Sequence, residues 1–160
     1  MDLDRAGRLL DNYAKWVRDS FAVVEEDGCM RIISPMPNRH NDHMSIYLME
    51  APDGGLLLSD FGETIADLSD RGCDLSTFDR KAKLSRVLAG YGLKARDGEI
   101  FVHTDEAGAA KAMNMLMQGM ASVDDLFFTV RESATNFFEE RKTQKGGAAR
   151  RRPRCEETGV

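Results

Sequence analysis

The apolar and polar positions of this chain divide it into short alternating runs and longer helical ones. Leu3, Ala6, Leu9, Leu10, Tyr13, Trp16 and Val17 recur at helical spacing from Asp2 to Asp19, with Arg5, Arg8, Asp11, Lys15 and Arg18 mostly opposite. This predicts an amphipathic first helix whose tryptophan anchors it on a sheet. Phe21 to Glu26 and Cys29 to Ile33 read as strands joined at Asp27-Gly28, a strong hairpin signal. Pro35 and Pro37 should end the second strand, because proline removes a ladder donor. Met44, Ile46 and Leu48 alternate with Ser45, Tyr47 and Met49, the pattern of a half-buried strand. Asp53-Gly54-Gly55 turns that strand into Leu56-Leu57-Leu58.

Two short helices follow, Glu63 to Gly72 with Ile65 and Leu68 inward, and a second to about Ala89. The second is capped by Ser76 or Thr77, carries Phe78, Leu84, Val87 and Leu88 as apolar positions, and is stopped by glycines at 90 and 92. Leu93 to His103 is a second hairpin, turning at Asp97-Gly98. Thr104 or Asp105 then starts a long helix. Its apolar seam, Met113, Leu116, Met120, Val123, Phe127, Val130, Ala134 and Phe137, alternates spacings of three and four. The part up to Val123 should cover the sheet. A continuous helix would carry the rest outward to pair with a second copy or another protein. A break near Ser122 to Asp125 would fold both pieces back.

The expected fold is therefore α+β: an antiparallel sheet of hairpin-connected strands with an N-terminal helix, two short middle helices and a long C-terminal helix. Residues 1–141 read as one domain and 142–160 as a disordered basic tail.

The composition, 160 residues with 42% apolar, is that of an ordinary globular domain. No run is long and apolar enough for a membrane span, and the acidic start, MDLDRAGRLL, has no signal-peptide core. Three widely spaced cysteines, Cys29, Cys73 and Cys155, favour neither a disulfide framework nor a zinc site, and suit a cytoplasmic protein. Net charge is −5, but residues 141–160 hold seven basic and two acidic side chains, leaving 15 basic against 25 acidic for the rest. Such an acidic body repels phosphate backbones, so nucleic acid is expected at most through the tail.

The polar chemistry gathers between Asn38 and Glu63. Arg39, His40, Asn41 and Asp42 form a binding candidate at the start of the third strand, or a connecting loop whose side chains cap a turn. Asp42, Asp60 and Glu63, with His40 as a base, are the catalytic candidates, on the pattern of spread acids around Mg²⁺. Asp60 has a second explanation as a helix cap, with Glu63 at capping-box spacing. Neither a metal nor a cofactor is expected, since no complete ligand set is present.

The residues Arg39-His40-Asn41-Asp42, the strand Ser45 to Glu50, Gly55 to Asp60, Gly62-x-Thr64-Ile65, Tyr91-Gly92, Asp97-Gly98-Glu99 and Val123 to Phe127 resemble the bacterial and phage domain-of-unknown-function family 1828, over about residues 20–130. That resemblance implies a mobile-element setting and brings no established activity. The element order is also similar to class I chaperones of type III secretion, which implies dimers that bind an unfolded segment. The function expected is non-enzymatic protein binding, as a dimer through the last helix, with Phe127, Val130 and Phe137 as contact residues. The alternatives are a Mg²⁺-dependent enzyme acting on nucleic acid, and a module held to nucleic acid by its tail.

Overall fold

The computed structural model describes residues 2–128. The chain divides after Phe127 into two compact units, of which the first is described here. The elements are α1 (Leu3–Ser20), β1 (Ala22–Glu26), β2 (Cys29–Pro37), β3 (His43–Glu50), β4 (Leu56–Ser59), α2 (Glu63–Asp70), α3 (Phe78–Gly90), β5 (Lys94–Arg96), β6 (Glu99–Thr104) and α4 (Ala109–Asp124). The six strands form one antiparallel sheet in the order β1-β2-β3-β4-β6-β5. The fold is thus α+β, as the hydrophobic pattern implies. No helix among the described residues is long and apolar enough to cross a membrane.

The hairpin turns follow from their residues. Asp27 and Gly28 both have positive φ, 42° and 86°, as do Asp97 and Gly98, 55° and 88°. Two consecutive left-handed residues give the turn that matches strand twist, and Asp-Gly tolerates it. β2 departs from the expected end at Ile33 and runs on to Pro37. The ladder to β3 passes from Ile33↔Ser45 to Pro37↔His43, an irregularity that absorbs extra residues. β1 ends opposite Ile33 at Ala22, so Pro35 and Pro37 lie beyond β1 and deprive it of no donor. Ser34 Oγ accepts from Met36 N at 3.2 Å, and His43 Nδ1 lies 2.9 Å from the Ser34 carbonyl, which fixes the bulge.

Residues opposite one another in the ladders share a face. One face carries Ile32, Ile46, Leu48, Leu58, Ile100 and Val102, and α4 lies against β3, β4 and β6. Leu116, Met120 and Val123 of the α4 seam are buried with Ile46, Leu58 and Ile100. The early half of the seam therefore covers the sheet, as its spacing predicts. Gly119 lets this happen: a Cβ there would stand 2.2 Å from the Leu93 side chain. α4 ends at Asp124 with Asp125 as its cap. Val130, Ala134, Phe137 and the basic tail lie outside the described residues.

Two apolar expectations fail. Trp16 does not anchor α1 on the sheet. It is 56% exposed, and α1 has no buried residue at all. Phe78, one of the apolar positions read for the second middle helix, is exposed at the first turn of α3. α2, α3 and α4 pack on β3 to β6, whereas α1 makes its contacts with β2, away from the part of the sheet those helices cover.

Asp60 joins the layers. Its carboxylate accepts from Gly62 N at 2.9 Å, Thr64 N at 3.1 Å and Ile100 N at 2.8 Å, and its own N–H donates to the Ile100 carbonyl at 3.0 Å. One fully buried side chain thus caps the start of α2 and ties β4 to β6. Removing it leaves buried donors unpaired, at about 1–3 kcal/mol each. Asp60→Ala is therefore expected to destabilise the protein by about 3–5 kcal/mol, read as a lower denaturant midpoint with an unchanged slope.

Candidate functional site

The polar edge is built around a turn. Asn38 Oδ1 accepts from His40 N at 2.8 Å and Asp42 N at 3.0 Å, and Asn38 N donates to the Asp42 carbonyl at 2.8 Å. Asn41 takes the left-handed conformation at φ 67°, which asparagine tolerates. His40 and Asp42 face solvent. Arg39 points the other way. Its side chain is 4% exposed; the guanidinium pairs with Asp124 through Nη1 and with Asp67 through Nη2, and lies 4.7 Å over the Phe127 ring. Its backbone N–H donates to Asp124 Oδ2 at 2.8 Å. His40 Nε2 lies 3.2 Å from Asp67 Oδ2. Arg39 therefore locks the β2–β3 loop onto α2 and the end of α4. Phe127, expected as an interaction residue, is half-buried in that lock.

The catalytic candidates are not brought together as a set. Both Asp60 oxygens are committed to backbone N–H groups, and Glu63 Oε1 accepts from the Tyr47 hydroxyl at 2.8 Å. Among the described residues no cluster of three or more His, Cys, Asp or Glu could hold a metal ion. The cavity beside these groups, lined by Asn38, His43, Ser45, Glu63, Thr64 and Asp124 among others, has a volume of about 60 Å³.

On the other sheet face a feature appears that residue types alone did not mark. Phe61 stacks on Tyr47 with ring centroids 4.3 Å apart, while Arg31 lies 5.8 Å from the Tyr47 ring and donates to Ser45 Oγ at 3.0 Å. Phe61 holds φ 49° and remains half-exposed. Its signal was the Asp60-Phe61-Gly62 turn, which looked like a helix start only. Burial, and behind it the Glu63 carboxylate, pushes the Tyr47 hydroxyl up to about 12.

Among the described residues, exposed apolar side chains gather on the N-terminal arm. Leu9, Leu10, Tyr13 and Trp16 on α1 and Val23 and Val24 on β1 are all exposed. Tyr13 and Trp16 stack with centroids 6.2 Å apart. Asp2 caps the helix, accepting from Arg5 N at 2.7 Å, and Arg18 sits in its last turn. The helix is thus well formed locally while most of its apolar face is exposed, with Val17 half-buried.

The family model for a domain of unknown function, DUF1828, matches residues 34–123, more than half of the 160. The chain belongs to the DUF1828 family. No curated protein and no solved structure matches it. In this DUF1828 protein the matched span starts at Ser34, in the bulged part of β2, and ends at Val123 on α4. It holds the Asn38 turn, the Asp60 knot and the β5–β6 hairpin. It is narrower than the 20–130 expected from the motifs, and α1 and β1 precede it.

Two measurements test this geometry. Arg39→Met leaves Asp124 buried without its cation, and should cost about 3–5 kcal/mol. The double replacement Arg39→Met/Asp124→Leu should cost less than the single one, because no buried charge is left alone. In an alkaline titration followed by phenolate absorbance, one of the three tyrosines should ionise only near pH 12, and Tyr47→Phe should remove that late step. The sign is that of an acid favoured neutral in the fold. The stability it contributes is full below the ordinary tyrosine range near 10 and is lost as pH rises through about 12.

Proposed function

We propose that this DUF1828 protein is a non-enzymatic protein-binding protein whose docking surface is the N-terminal arm, α1 with β1, serving as an accessory factor of a bacterial or phage-like element. The observation that carries this reading is the 18-residue amphipathic helix α1 with no buried residue. An isolated helix of this length is marginal in water, and most helical stability in proteins comes from packing the apolar face. Exposed contiguous apolar surface of this kind marks an interaction site. Tryptophan and tyrosine are also the residues that dominate binding energy at interfaces.

The reading keeps the protein-binding role expected from the α4 seam and moves its surface. Leu116, Met120 and Val123 are spent on the core, and Phe127 on Arg39. The rival, a Mg²⁺-dependent enzyme at the polar edge, loses support because Asp60 is a structural cap and Glu63 is held by Tyr47.

A photo-reactive phenylalanine placed at Leu10 should cross-link this chain to protein, whether another copy or a different one. The same group at Lys83, exposed on α3, should not. Equal cross-linking at both positions, or none at either, would overturn the docking-arm reading. Because Tyr13 and Trp16 are exposed, Tyr13→Asp/Trp16→Asp should change folding stability by no more than about 0.5 kcal/mol while abolishing the cross-link at position 10.

A further inference from the structure

The two edges of the sheet are built differently. β5 is three residues long and carries Lys94 and Arg96, both exposed. Shortness and basic side chains are the devices that keep an edge from pairing with another chain. β1, the other edge, is longer and has no basic residue, and its only charges are the two glutamates at one end. Its five residues, Ala22-Val23-Val24-Glu25-Glu26, hold unbroken register with β2, without proline, bulge or lysine. Val23 is 66% and Val24 47% exposed, on opposite faces. A regular β-branched edge beside an amphipathic helix with an uncovered face has the form of half an interface.

We infer that the arm's occupant is a second copy of this chain, with β1 pairing antiparallel to β1 about a two-fold axis at Val24 and the two α1 helices packing apolar face to apolar face. The inference rests on the docking-arm reading above and names its partner. Three features favour self-pairing. An antiparallel β1–β1 ladder is self-complementary, as a two-fold interface requires. Centred on Val24, it sets Glu25 opposite the second copy's Val23 and Glu26 opposite its Ala22, so no glutamate faces another. It also brings Glu25 of each strand to the end where the second copy's α1 arrives with Lys15 and Arg18, although Asp19 lies beside Arg18 and Glu26 already pairs with Arg31 of its own chain at 3.8 Å.

Aromatic side chains bury about 150–250 Å² each. Tyr13 and Trp16 at half exposure, with Leu9, Leu10, Val23 and Val24, offer several hundred Å², a large part of the ~800 Å² per partner of a standard interface. Backbone hydrogen bonds along β1 add to that, and the two six-stranded sheets become one continuous sheet.

The test uses the full chain, its sole tryptophan and sedimentation from low to high micromolar concentration. The expected mass is twice 17.9 kDa, with Trp16 emission moving to shorter wavelength and losing access to a neutral quencher as the dimer forms. Val24→Lys sets two lysines face to face at the axis, and should weaken the dimer by about 30-fold or more. Trp16→Asp should do the same from the exposed helix, where it cannot unfold the core. A dimer that survives both replacements uses another surface and overturns the proposal. A monomer at every concentration with Trp16 open to quencher overturns the self-pairing but leaves the docking-arm reading in place. A monomer with Trp16 shielded means α1 lies on its own chain, and overturns both.

Discussion

Three backbone N–H groups converge on the buried carboxylate of Asp60, and the architecture of the matched family span depends on that convergence. β4 and β6 are neighbours in the sheet but far apart in sequence, with two helices between them. Asp60 closes that loop from within. It holds Ile100 of β6 at the end of β4 and caps α2, so the chain leaves the sheet at a defined angle. The same turn forces Phe61 and Gly62 to positive φ. A phenylalanine in that conformation is strained, and the hydrogen bonds around it must outweigh the strain. Phe61 then lands on Tyr47, and Glu63 on the Tyr47 hydroxyl. A side chain that looked like half of a metal site is the reason the aromatic stack exists.

Arg39 has the complementary role at the other end of α2. Its guanidinium brings a loop, a helix and the end of α4 to one point, through Asp67 and Asp124. A buried ion pair is weak as a source of stability, since desolvation offsets most of the attraction. What it supplies here is register: β2 and β3 are irregular beyond Ile33, and Arg39 fixes where the irregular segment docks. The polarity of Arg39 to Asp42 is therefore divided. Arginine and the Asn38 turn are structural, while His40 and Asp42 remain at the surface.

Much of this was legible from residues alone. Asp-Gly turns, the alternation from Met44 to Met49 and the early α4 seam each reflect local physics, and each lies where expected. Asp60 does hold the start of α2 through Thr64 N, but the cap position is Gly62 and Glu63 turns to Tyr47, so the capping-box spacing is not realised. The failures have one cause. An amphipathic pattern states that a helix has a face to bury but not against what. Tyr13 and Trp16 carry the same signal whether the covering surface is the chain's own sheet or another protein. Where the helix lies on the sheet decides it, and that requires the strand order, which hydrophobic spacing does not contain. Likewise Pro35 and Pro37 end a strand only where a neighbour needs their donor, and β1 had already stopped.

The same reasoning explains why the arm stands apart from the rest. From Ser34 to Val123 the apolar side chains are largely satisfied internally, and that is the span the family model recognises. Before it, α1 and β1 obey the local rules of a folded protein, with a cap, a dipole-matched last turn and a regular ladder, yet lack the burial that normally supports them. Local consistency without tertiary satisfaction is costly for a monomer, because ordering some twenty residues opposes folding by about 1–2 kcal/mol per residue in backbone entropy alone. Contacts within the chain return little of that for α1. On the proposal above, that cost is offset by assembly, with the regular β1 edge beside α1 as the place where a second copy continues the sheet.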